Sequence, residues 1–133
     1  MSRGWVVDAS AIVELLLRTP AGERVGELLA GRVLVAPAHL DAEVFSALAR
    51  LARADPGERP HVPARLHRLA RAPVTRHSCR PLLTGAWALA DNVAARDALY
   101  VELARRLDLP LLTCDARLAG VPAGVLGIDV RVP

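Results

Sequence analysis

Residues 5–13 read Trp5-Val6-Val7-Asp8-Ala9-Ser10-Ala11-Ile12-Val13: three apolar residues, a carboxylate, then a helix-forming run. A short apolar run bounded in this way reads as a buried strand. The helix that follows is predicted from Ala9 to Leu17, ending before Thr19-Pro20. The same order returns late in the chain. Pro110 to Cys114 is an apolar strand, and Asp115 directly follows it. Both acids therefore sit where a strand gives way to the next element.

The intervening sequence fills in a repeating strand–helix pattern. Helices are predicted over 21–30, stopped by Gly31, over 40–54 and over 62–72. Two more are expected over 81–90 and 94–107. Strands are expected at 33–35, closed by Pro37, at 74–77 and, weakly, at 127–132. Residues 55–60, Asp-Pro-Gly-Glu-Arg-Pro, read as a turn. Strands alternating with helices imply an α/β fold with a parallel sheet covered on both faces. Such sheets place ligand sites outside the carboxyl ends of their strands. Asp8 and Asp115 occupy that position. Taken singly, each serves equally well as a helix N-cap; together they favour a site.

Composition narrows the classes. A length of 133 residues suits one domain, 1–133. Hydrophobic residues make up 53%, which supplies a core and excludes disorder, and aromatics only 3%, so Leu, Val and Ala must fill it. No apolar run reaches the roughly 18 residues of a membrane span. The N-terminus lacks the apolar stretch of a secretory signal. Cys79 and Cys114 form no CxxC pair, and a reduced, cytoplasmic protein is the expectation. All 17 Lys-plus-Arg residues are arginine, which excludes Walker A and Schiff-base chemistry. Guanidinium forks suit phosphate; a GC-rich genome explains the arginines more simply, along with the abundant Ala, Pro and Gly. The net charge of +3 is compatible with a nucleic-acid partner without requiring one.

Asp97 adds a third acid. On its helix it shares a stripe with Tyr100, Ala104 and Leu107, while Glu102 and Arg106 are expected to point elsewhere. A carboxylate on an apolar stripe is costly unless it is paired or metal-bound. The plainer role is a first-turn acid favoured by the helix dipole. On the helix over 40–54, Asp41 and Glu43 border opposite edges of the Leu40–Leu51 stripe, and periodicity does not choose between them. Carboxylates gathered at one edge repel, and a hard cation such as Mg²⁺ or Mn²⁺ is what oxygen-only donors suit. That chemistry fits in-line hydrolysis of a phosphodiester.

Four segments in order resemble the PIN domain, specifically the VapC-type toxins of bacterial toxin–antitoxin pairs. They are Val6-Val7-Asp8-Ala9-Ser10-Ala11, residues 40–48 around Glu43, residues 91–104 from Asp91 through Asp97 to Ala104, and residues 111–118 around Asp115. Each is weak alone; four in sequence are specific. The resemblance implies a PIN-like three-layer α/β/α sandwich with a central parallel sheet. It implies Mg²⁺- or Mn²⁺-dependent endoribonuclease activity on RNA, a cognate VapB-type antitoxin and a homodimer. By it, Asp8, Glu43, Asp97 and Asp115 are the metal-site residues, with Glu43 selected over Asp41. Ser10 and Asn92 would be hydrogen-bonding supports. The chain departs from the pattern at Arg96, where the family often has Tyr, and at Arg117, where some members carry a further acidic or polar residue. Arg96 reads as solvated in preference to a phosphate contact.

Other residues are given ordinary roles. His39, His61, His67 and His77 lack metal-ligand spacing as a set. Cys114 reads as core, Glu14 as a salt-bridging residue, and the run Arg65, Arg68, Arg71 as a solvated helix face. A receiver domain is excluded because it needs a lysine, and a haloacid-dehalogenase-type phosphatase because Ser10 stands where its second Asp belongs. A PIN-like module that only grips RNA or a protein partner is the remaining alternative.

Overall fold

The structure is a computed structural model that describes residues 4–133. The N-terminal signal expectation rests partly on Met1 to Arg3, which lie outside the described residues. The sheet has five parallel strands: β1 (Gly4–Val7), β2 (Val33–Pro37), β3 (Val74–His77), β4 (Leu111–Leu112) and β5 (Val130–Arg131). Their order is β3-β2-β1-β4-β5. β1 is central, with Val6 opposite both Val35 and Leu111. Val6, Val7, Leu111 and Leu112 are wholly buried. That burial on both faces explains why these strands read as continuous apolar runs with no alternation.

Helices α1 (Ala9–Leu17), α2 (Pro20–Leu29), α3 (Leu40–Ala54) and α4 (Val62–Arg71) pack on one another. Helix α6 (Ala95–Leu107) packs on β1, β2 and β4, with the short α5 (Leu83–Trp87) against it. The short helices α7 (Ala116–Ala119) and α8 (Ala123–Leu126) follow β4. This is the three-layer α/β/α arrangement with a central parallel sheet. No helix among the described residues is long and apolar enough to cross a membrane.

Local chemistry sets the boundaries. Asp8 caps α1 by accepting the Ala11 N–H, and Thr19 caps α2, with Pro20 in its first turn. Gly22 lets α2 lie against the α1 backbone at Glu14, where a Cβ would collide with the carbonyl. Three expectations need correction. The helix over 81–90 is a 3-10 turn, Arg80–Leu82, followed by only five helical residues of α5. The last strand shrinks from 127–132 to Val130–Arg131, because Gly127 holds a positive φ of 73° that ends α8. Residues 116–126, given no structure from sequence, form α7 and α8.

The parallel order brings every strand's carboxyl end to one edge. Asp8 follows β1, His39 follows β2, Cys79 follows β3 and Asp115 follows β4. The chain reverses its direction of travel across the sheet between β1 and β4, which is where open α/β sheets bind ligands.

Candidate active site

A cleft of about 500 Å³ opens at this edge, and Asp8, Glu43, Asp97 and Asp115 all line it. The four acids come from both helical layers and from two strand ends. Asp8 and Asp115 stand at the ends of β1 and β4, Glu43 one turn into α3, and Asp97 in the first turn of α6. Asp41 goes elsewhere. Its carboxylate takes a two-pronged contact from Arg76, whose guanidinium also donates to the carbonyls of Leu69, Ala72 and Val74.

Asp8 is the most enclosed of the four, at 4% exposure. Its Oδ1 accepts from Ser10 Oγ at 2.7 Å and from Ala11 N at 3.0 Å, and its Oδ2 accepts from Thr113 Oγ1. Three of a carboxylate's roughly four acceptor sites are thus engaged. Burial raises the Asp8 pKa above the ordinary carboxylate value; the Ser10, Thr113 and Ala11 hydrogen bonds oppose it, and the Asp115 charge adds to it. Asp97 is raised as well, first by burial, then by the Asp8 charge; Arg96 counters this, and Asp115 and Glu43 reinforce it. Four like charges therefore feel one another across a single cleft.

Ser10 and Thr113 form the underside of the site. Ser10 Oγ lies 3.2 Å from Thr113 Oγ1 and accepts from Cys114 N at 2.9 Å. Thr113 Oγ1 accepts from Asp115 N at 3.0 Å, so one buried hydroxyl links two of the acids. Sequence reasoning passed over Thr113, although a lone hydroxyl inside an apolar strand was a usable signal. Glu43 is held by Tyr100, whose hydroxyl donates to Oε1 at 2.6 Å. The Tyr100 pKa is raised by burial and then by this carboxylate, which keeps the phenol protonated as a donor. Asn92 lies exposed in the turn before α6 and does not contribute to the cleft lining.

Several side roles differ from expectation. Glu14 lines the cleft and accepts from Thr19 Oγ1 at 2.5 Å instead of meeting an arginine. Cys114 also lines it; burial, followed by the Asp8 and Glu14 charges, pushes its thiol up to about 11, so it is no nucleophile at neutral pH. Arg65 pairs with Glu58 at 2.5 Å and Arg68 donates to the Leu16 carbonyl at 2.7 Å, so neither is simply solvated. Glu102, expected to point away from the α6 stripe, is 7% exposed and pairs with Arg105 and Arg106. Gly85 leaves the room its carboxylate needs. Leu107, expected on the stripe, is 39% exposed at the helix end.

The donor set can be tested against a metal. Among the described residues no group of three or more His, Cys, Asp or Glu side chains is set closely enough to hold an ion alone. An ion bound in the cleft would therefore draw on water and substrate oxygens as well as on carboxylates, as Mg²⁺ commonly does. Burial first, and then the neighbouring carboxylates, disfavour the charged forms of Asp8 and Asp97, and a cation in the cleft would relieve both. A larger groove, about 900 Å³, lies between α1, α2 and α4 over Ile12, Leu16 and Leu69, away from the strand ends. Its surface is mainly apolar, and the carboxylates with raised pKa values, Asp8 and Asp97, are in the smaller cleft.

Residues 5–124 match the PIN domain family. Ribonuclease VapC3 of Mycobacterium tuberculosis is 51% identical over 115 residues, covering 86% of this chain and 84% of that protein. Ribonuclease VapC12 of the same organism is 40% identical, covering 86% and 88%. Among solved structures, Mycobacterium tuberculosis VapC20 superposes with a TM-score of 0.64 at 19% identity over 90% of this chain and 97% of that one. Rickettsia felis VapBC2 superposes with a TM-score of 0.63 at 11% identity over 96% of each. With the acidic cleft at the β1–β4 switch and this degree of likeness, the chain belongs to the PIN-domain family, on its VapC branch.

Proposed function

We propose that this chain is the toxin of a VapBC-type toxin–antitoxin pair, an endoribonuclease that hydrolyses RNA phosphodiester bonds with Mg²⁺ or Mn²⁺. The observation that carries the reading is the meeting of Asp8, Glu43, Asp97 and Asp115 in one cleft at the β1–β4 switch. Relatives at 51% and 40% identity bear the name ribonuclease VapC, which supports RNA as substrate. A VapB-type antitoxin is the proposed partner, a homodimer the proposed assembly, and the cytoplasm, where RNA is reached, the proposed location.

The residues divide the work. Of Asp8, Glu43, Asp97 and Asp115, one or two would hold the cation directly and the others through its waters. When bound, such a cation lowers the pKa of a coordinated water and neutralises charge developing on the phosphate. Ser10 and Thr113 donate to Asp8, fixing its rotamer and leaving about one acceptor site for the ion. Tyr100 holds one oxygen of Glu43 and leaves the other towards the cleft. Arg50 and Arg96 line the same cleft and offer guanidinium forks to phosphates of the RNA strand.

The test is cleavage of a broad RNA panel by purified, antitoxin-free protein with Mn²⁺, with EDTA and Asp97→Ala as controls. Metal-dependent cutting that Asp97→Ala abolishes supports the reading. An RNA panel left uncut by folded, Mn²⁺-loaded protein overturns it in favour of a binding module.

A further inference from the structure

We propose that His39 is a positioning residue that ties the Glu43 helix to the Asp97 helix and so sets the spacing of the acidic cleft. This rests on the ribonuclease reading given above. His39 directly precedes α3 and makes no side-chain cap there. Its ring instead faces across the sheet edge. Nε2 lies 3.1 Å from the Arg96 carbonyl oxygen, next to Asp97 at the start of α6, and 3.5 Å from Glu43 Oε1. Both neighbours only accept, so Nε2 must carry the hydrogen. On the other side, Nδ1 lies 3.7 Å from Cys79 Sγ, whose thiol hydrogen it accepts. With the hydrogen on Nε2, the ring donates to the Arg96 carbonyl and accepts from the Cys79 thiol, while Glu43 Oε1 lies beside the same N–H.

The ring is also held from below. Its centroid lies 4.6 Å from that of Tyr100, with the planes tilted by 41°. Tyr100 is itself buried and donates to the same Glu43 oxygen that His39 approaches. Glu43 Oε1 is thus held from two sides, while Oε2 remains on the side of Arg96 Nε, 3.8 Å away. Glu43 and Asp97 lie on helices of opposite layers, and His39 gives them a direct link that does not run through the sheet. His39 stands at the wall of the cleft, and a residue of this kind adjusts where metal-site oxygens stand.

The test separates hydrogen-bond donation from ring packing, using the full chain with Mn²⁺ and an RNA that the wild type cuts. His39→Phe keeps an aromatic ring and removes both nitrogens. His39→Gln keeps an N–H near the Nε2 position without the ring. We expect His39→Phe to lower kcat by about 10- to 100-fold, with KM for RNA unchanged, and to weaken Mn²⁺ binding measured calorimetrically without RNA. His39→Gln should restore most of both, and Tyr100→Phe should shift both the same way as His39→Phe. Wild-type kcat and Mn²⁺ affinity in His39→Phe would overturn the proposal, as would equal impairment of His39→Phe and His39→Gln. If wild type binds Mn²⁺ yet cuts no RNA, the ribonuclease reading fails, and the Mn²⁺ affinities of the variants still decide the role of His39.

Discussion

Asp8 and Asp115 share a local design and differ in almost everything else. Each follows an apolar strand, and each caps the next helix by accepting a backbone N–H, from Ala11 and Arg117 respectively. Asp8 is then sealed by two hydroxyls and pushed above the ordinary carboxylate pKa. Asp115 is half-buried, its side chain 24% exposed, beside the exposed Arg117, whose Nε lies 3.5 Å from its Oδ1. A cap is made by neighbours in sequence. A buried carboxylate with a raised pKa is made by neighbours in space, here among them Thr113, which lies 105 residues from Asp8. On the proposed reading, Asp8 serves as the anchor of the site and Asp115 as its rim.

The sharpest way to break this contrast is to remove the anchor. Asp8→Ala should lower kcat for RNA cleavage by about 1,000-fold or more, since metal-centred charge stabilisation is worth several kcal/mol. A residual rate within tenfold of wild type, in a single-turnover assay, would make Asp8 dispensable. Next comes the shared hydroxyl. Thr113→Val removes the donor to Asp8 and the acceptor for Asp115 N, and should cost about 10- to 100-fold in Mn²⁺ affinity. Chemical denaturation should show a further loss of about 1–3 kcal/mol from the unpaired polar groups.

Acidity offers a third probe. The native forms of Asp8 and Asp97 keep protons at pH values where their unfolded counterparts have released them. Stability of the metal-free protein therefore rises as pH falls through the window between the raised and ordinary values, and is lost as pH climbs out of it. A cation competes with those protons, so the melting-temperature gain on adding Mn²⁺ should be larger at about pH 7.5 than at about pH 5. Equal gains at both pH values would count against a buried, proton-holding anchor. The smallest effect belongs to the rim. Arg117 is 88% exposed in its side chain, and Arg117→Ala should change unfolding free energy by no more than about 0.5 kcal/mol.

What could be read from the chain follows the same division between local and distant neighbours. The strand–helix order, the helix over 40–54 and the sheet-edge placement of Asp8 and Asp115 all rest on patterns a few residues long. Asp97 stood out as an acid among apolar residues, although its stripe included the exposed Leu107; Glu102 points away from that stripe as expected, but is buried beside α5. Asp41 and Glu43 were indistinguishable by period, because the partner that diverts Asp41 is Arg76 on β3, 35 residues away. His39 and Tyr100 gave no signal, since their role depends on an approach between α3 and α6 that only the packed layers create. The closeness of α5 to α6 was likewise out of reach, since the room for the Glu102 carboxylate comes from Gly85, 17 residues away in the chain.

The sheet order has a consequence for synthesis. β1 leaves the ribosome first yet sits in the centre, and one of its two neighbours is β4. At common translation rates the residues separating Asp8 from Thr113 take about 5–20 s to be made. Until then the nascent chain has an anchor acid without its clamp, and no fourth carboxylate. The order of the strands therefore delays assembly of the cleft until Thr113 and Asp115 have been made.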